Sequence, residues 1–99
     1  MMNFRQYANV TKIVIPDKVQ LSSTNFSNAF RQMSKIKEIE VPAKLTNMFN
    51  TFYYCSNLIS HPICGDKVIN MYGAYGHCFN LTGSPVCGSS VTDMSYTYF

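Results

Sequence analysis

The sequence predicts an α/β solenoid: about four stacked coils, each a short β-strand plus a loop or short helical turn, with a parallel sheet along one face. Three observations predict it. Residues 49–71, FNTFYYCSNLISHPICGDKVINM, align without a gap on residues 72–94, YGAYGHCFNLTGSPVCGSSVTDM, at a period of 23. The paired positions keep their chemical character, as in Phe52/Tyr75, Cys55/Cys78, Asn57/Asn80, Leu58/Leu81, Pro62/Pro85, Cys64/Cys87, Val68/Val91 and Met71/Met94. One unit of that length cannot bury its own apolar side, so units must stack and share a core.

A more divergent copy lies upstream at residues 26–48, FSNAFRQMSKIKEIEVPAKLTNM. Phe30 takes the aromatic place, Met33 the cysteine place and Ile36 the leucine place. Gly65 and Gly88 have no counterpart there, so this copy is one residue shorter. Further up, Val10, Ile13, Ile15, Pro16 and Val19 repeat the pattern Ile36, Ile39, Val41, Pro42 and Leu45 at a spacing of 26. The surplus residues are expected in the polar stretch LSSTN at 21–25. A last copy starts at Ser95 and stops at Phe99, with Tyr98 on the aromatic place. The chain therefore reads as one domain, 1–99, with coils near 4–25, 26–48, 49–71 and 72–94 and a partial one at 95–99.

Each unit follows one grammar. In TKIVIP and KEIEVP, Ile13-x-Ile15 and Ile39-x-Val41 alternate as a half-buried strand does, with β-branched residues on one side. A Pro or Gly then ends the strand. A Met and an aromatic stretch such as NMFNTFYYC follow, expected as one or two helical or 3₁₀ turns. Phe30, Phe52, Tyr75 and Tyr98, with Met48, Met71 and Met94, fall on repeat positions and are assigned to the core.

Composition excludes disorder. Only 13% of the chain is charged and 14% is aromatic, whereas disordered chains are rich in charge and poor in rings. The net charge is +3, concentrated in residues 1–44. There Arg31, Lys35, Lys37 and Lys44 form a candidate basic patch, although no dense Lys/Arg run supports nucleic-acid binding. The N-terminus lacks the apolar core of a secretory signal. No stretch approaches the roughly 18 apolar residues of a membrane helix. The expected location is cytoplasmic as written, or surface- or phage-associated if the chain is a fragment.

The stretches NAFRQMSKIKEIEVPAKL, FYYCSNLISHPICGDKV and AYGHCFNLTGSPVCGSSV share an order: aromatic, two residues, Cys or Met, two residues, Leu or Ile, strand, Pro. This order resembles the BspA-like leucine-rich repeat family over nearly the whole chain. The resemblance implies a leucine-rich-type solenoid and a non-catalytic protein-binding module of surface or adhesion type. Two departures stand out: the missing signal and the short array. They favour an alternative, a small phage or mobile-element effector that binds and inhibits a host protein. A second alternative is nucleic-acid binding through the basic N-terminal half. The family carries no catalytic residues to transfer.

Chemistry is sparse. The four cysteines fall on two repeat positions, Cys55/Cys78 and Cys64/Cys87, and read as small buried core residues. Disulfides between in-register neighbours would be strained, and nothing in the sequence points to an oxidising compartment. Zinc sites use tight CxxC or HxxxH pairs, which these spacings do not supply. His61 reads as a strand residue, and His77 as an outward one matching Tyr54. No enzyme activity, cofactor or metal is expected.

The remaining candidates lie on the surface. Tyr53, Tyr54, Tyr72, His77 and Tyr96 are the expected partner-binding residues, because rigid amphipathic rings among Ser, Thr, Asn and Gly make a recognition surface. The partner expected is a protein. A homodimer through the uncapped C-terminal coil is a further expectation, since a bare terminal coil exposes core and strand edge.

Overall fold

The computed structural model describes residues 4–61, 65–83, 90–93 and 97. Pro62, Ile63, Cys64, Pro85, Val86, Cys87, Met94, Tyr96 and Tyr98 lie outside them, and so does most of the partial last copy. Two short strands, β1 (Lys12–Val14) and β2 (Glu38–Glu40), pair in parallel with Ile13 opposite Ile39. The alternation dictates their faces. Ile39 and Ile15 are buried and Ile13 is partly so, while Lys12, Val14, Glu38 and Glu40 face water. Lys12 and Glu38 meet across the pair at 3.5 Å. That exposed ion pair adds at most about 1 kcal/mol.

The parallel hydrogen bonding continues past these strands. Lys37 donates its N–H to the Thr11 carbonyl, Ile59 to Lys37 and Thr82 to Ile59. These steps are 26, 22 and 23 residues, by the numbering of the partners. A second ladder runs from Thr46 to Thr24, Ile69 to Thr46 and Thr92 to Ile69. Beside it, Asn25, Asn47, Asn70 and Asp93 form successive parallel bridges. The first interval is 26 in the ladder that starts at Thr11, and 22 in the one that starts at Thr24. The surplus residues therefore lie ahead of Thr24. Leu21, within that surplus, packs on the core, whereas Val19 is 37% exposed. The pattern had matched Val19 with the buried Leu45, and the longer loop displaces it.

The aromatic stretches depart from the expected helical turns. Asn28, Gln32, Asn50, Tyr54, Gly73 and His77 all adopt left-handed φ, between 51° and 63°. Within each stretch the two such residues are four apart. A left-handed residue every fourth position breaks an i→i−4 ladder, so no α-helix forms. Instead the amides alternate. Ala29, Arg31 and Met33 donate three residues back, to Phe26, Asn28 and Phe30. Asn28, Phe30 and Gln32 donate to Phe49, Thr51 and Tyr53 of the following segment. The same division recurs with Thr51, Tyr53 and Cys55 donating backwards, and Asn50, Phe52 and Tyr54 donating to Tyr72, Ala74 and Gly76. In residues 28–33 and 50–55 every amide is thus bonded, half within a segment and half between segments, as burial requires. The one helical piece among the described residues is a 3₁₀ turn, Arg5–Tyr7.

The core sits between the strand side and these turns. Phe4, Phe30, Phe52 and Tyr75 stack in a single column, with near-parallel rings at centroid separations of 4.8, 5.7 and 5.3 Å. Each such pair contributes about 0.5–1.5 kcal/mol beyond its buried area. Met33, Ile36, Leu45, Met48, Leu58, Val68 and Met71 fill in around the column. Polar groups inside are bonded to carbonyls one segment upstream: Thr51 Oγ1 to Phe26 at 2.9 Å and Thr97 Oγ1 to Met71 at 3.0 Å.

Candidate recognition surface

The left-handed turns decide which side chains leave the core. Phe30, Phe52 and Tyr75 point inward. Two residues later the positive φ at Gln32, Tyr54 and His77 turns the chain, and these side chains project outward or half outward. Tyr54 lies directly over His77, with ring centroids 4.3 Å apart and planes within 8°. Tyr53 meets that pair edge-on, 5.0 Å from Tyr54 and 5.5 Å from His77. Phe79 stands across their other edges, 5.6 Å from His77 and 6.5 Å from Tyr54. The Arg31 guanidinium lies 5.0 Å over the Tyr53 ring, a cation–π distance. Phe79 is 71% exposed and Tyr54 39%, while Tyr53, His77 and Arg31 are half-buried beside them, so the four contiguous rings and the cation form one partly exposed cluster.

Of the expected surface residues, the fold gathers Tyr53, Tyr54 and His77. Tyr72 belongs to another column, stacked on Phe49 at 5.2 Å and half-buried. Tyr96 lies outside the described residues. Phe79 is the member that sequence reasoning missed. It occurs once, so the repeat did not flag it, although an apolar ring in a polar turn was a signal.

The expected basic patch is spread over different partners. Arg31 joins the ring cluster and also reaches Asn28 Oδ1 at 3.4 Å. Lys35 Nζ donates to Asn9 Oδ1 at 3.3 Å. Lys37 leads into β2 with an exposed side chain, and Lys44 Nζ donates to the Val19 carbonyl.

The two described cysteines, Cys55 and Cys78, face inward. Cys55 Sγ–H donates to the Phe30 carbonyl and Cys78 Sγ–H to that of Phe52, at 3.0 and 3.1 Å. Both are free thiols. Burial pushes the Cys78 thiol up from 9.0 to about 11. Cys55 is raised further, by deeper burial and then by the neighbouring Cys78. A thiol held in that range is almost wholly protonated near neutrality, a poor nucleophile and a poor metal ligand. His61 rests its ring edge-on against Tyr75 at 5.1 Å, with Nδ1 3.1 Å from the Thr82 carbonyl. Among the described residues no three His, Cys, Asp or Glu side chains gather as a metal site would need, and no helix is long and apolar enough to cross a membrane.

A second regular feature is structural. Asn25, Asn47 and Asn70 each accept, on Oδ1, the N–H two residues on, at 2.8, 2.9 and 2.8 Å. Ser27 Oγ ties two of them together, donating to Asn25 Oδ1 at 2.6 Å and lying 3.0 Å from Asn47 Oδ1. These Asx turns reverse the chain just before each aromatic stretch and so aim it at the surface described above. No protein-family model matches the chain, and no curated protein or solved structure is significantly similar to it.

Proposed function

We propose that the chain is a leucine-rich-type solenoid of about four coils that works as a non-catalytic protein-binding module, its partner docking on the turn face around Tyr54, His77 and Phe79. The exposed ring cluster carries this reading. Large rings left in water cost free energy in the isolated chain, and contiguous exposed apolar groups mark interaction sites. Tyr and Arg are also the residues most enriched among those that dominate binding energy. The rings are held by stacking and by backbone turns, so little conformational entropy is lost when a partner covers them. Residue-register hydrogen bonding at 26, 22 and 23 residues supports the coil reading, and buried, protonated thiols support a non-catalytic one.

Affinity capture from host lysate tests the proposal. Tyr54→Asn tolerates the left-handed backbone that the position needs, and Phe79→Ser removes the most exposed ring. The double variant is expected to fold as the parent does and to lose the captured protein. Retention of that protein at parental levels would contradict the assignment of this face. Whether the bound protein is a surface receptor or a host enzyme being inhibited follows from its identity.

A further inference from the structure

The turn face has two zones. The ring column Phe4, Phe30, Phe52 and Tyr75 sets the lateral register of four segments. One residue further along each segment come Arg5, Arg31, Tyr53 and Gly76, then Gln6, Gln32, Tyr54 and His77. Three residues beyond those come Asn9, Lys35, Asn57 and Asn80. That register is visible in the hydrogen bonds Lys35 Nζ to Asn9 Oδ1 and Asn80 Nδ2 to Asn57 Oδ1, both 3.3 Å. The first two segments thus present the cations Arg5, Arg31 and Lys35, and the last two present Tyr53, Tyr54, His77 and Phe79. Arg31, seated on Tyr53, is the seam between them.

Charge is sorted in the same way. Segments 4–11, 26–37, 49–61 and 72–83, which supply this face, contain no Asp or Glu. All five acidic residues, Asp17, Glu38, Glu40, Asp66 and Asp93, lie elsewhere in the chain. Adjacent β-type segments are about 4.8 Å apart, so the centres of the two zones, two segments apart, are separated by roughly 10 Å. An extended peptide covers that distance in about three residues.

We propose that the turn face selects a short extended segment of a protein partner in which carboxylates stand about three residues from an aliphatic or aromatic side chain. The inference rests on the protein-binding reading and adds the chemistry of the partner. The carboxylates meet Arg5, Arg31 and Lys35, with Arg31 able to bind one in two-pronged fashion. The apolar side chain covers the Tyr54–His77 pair against Phe79. A basic segment is rejected, because no carboxylate on this face compensates its charge.

Fluorescence anisotropy of the full chain with labelled peptides of about ten residues tests this. The probe carries two Asp placed three positions before Phe-Leu. Two controls replace Asp by Ser, or Phe-Leu by Ser, and a third probe is a uridine oligonucleotide. At low salt the acidic–apolar peptide is expected to bind at least about tenfold more tightly than either control, with the difference shrinking as salt rises. Arg31→Glu, checked for an unchanged melting temperature, is expected to remove that preference. Equal binding of the Asp and Ser peptides, still dependent on Phe79, overturns the charge selection and leaves the protein-binding reading standing. Binding of the oligonucleotide in preference to every peptide overturns both. Absence of binding by all probes overturns the inference, while the capture experiment judges the broader reading separately.

Discussion

Two glycines show how closely the segments approach. A Cβ on Gly65 would lie 2.0 Å from the Ala43 carbonyl oxygen, which is backbone and cannot swing aside. Gly65→Ala is therefore expected to destabilise the protein by about 1–3 kcal/mol, the usual cost of overpacking, measured by urea denaturation. At Gly73 the obstacle is the Asn50 side chain, and φ is +63°. The thiols give a pH signature. The Cys78 value is raised in the folded state, so its contribution to stability is complete below the ordinary value of 9.0 and is lost as pH rises through about 11. The melting temperature is expected to fall across that window. In Cys78→Ala the fall should be shallower, and an identical slope in parent and variant would contradict burial as its cause. Several residue assignments were legible beforehand: the repeat placed Phe30, Phe52, Tyr75, Met48 and Met71 inside, where they lie. The left-handed backbone at Gln32, Tyr54 and His77 was not, because three unlike residues share no propensity for it. The bond each neighbourhood makes to the next segment imposes it, and that information is not local.

At the scale of the element, the strands and the turns differ in what holds them. β1 and β2 follow from alternating β-branched residues, and their register follows from matching Ile13 to Ile39. The turns depend on side chains bonded to backbone. Asn47 Oδ1 accepts the Phe49 N–H, so Asn47→Ala leaves that donor short, while the Ser27 hydroxyl keeps its shorter bond to Asn25 Oδ1. A loss of about 1–3 kcal/mol is expected by chemical denaturation, with Asn47→Asp recovering most of it. A loss no larger than that of an exposed control such as Gln20→Ala would show that water replaces the acceptor. The sequence held a readable sign of this ladder: Asn25, Asn47, Asn70 and Asp93 each precede Phe or Met at steps of 22, 23 and 23. It lies on polar positions, outside the apolar and cysteine register that defines the repeat. The choice within the expected helical or 3₁₀ turns was not legible for a related reason, since the aromatic spacing in NMFNTFYYC cannot distinguish a helix from the consecutive turns seen here.

At the scale of the molecule, a side of strands and a side of turns share one column of rings. The two sides differ in what they expose. The strand side shows alternating charges of both signs at Lys12, Glu38 and Glu40. The turn side shows cations beside rings and no carboxylate. Which rings come together there was only partly legible: Tyr53, Tyr54 and His77 were named from composition, Tyr72 falls in a separate column, and Phe79 had no repeat partner to reveal it. Docking on the turn side is the central claim, and hydrogen exchange of the chain with and without its captured protein tests it most directly. Slowed exchange is expected in segments 28–32, 50–54 and 73–80, with residues 12–14 and 38–40 unchanged. Protection confined to β1 and β2, with the turn segments exchanging as in the free chain, would contradict it.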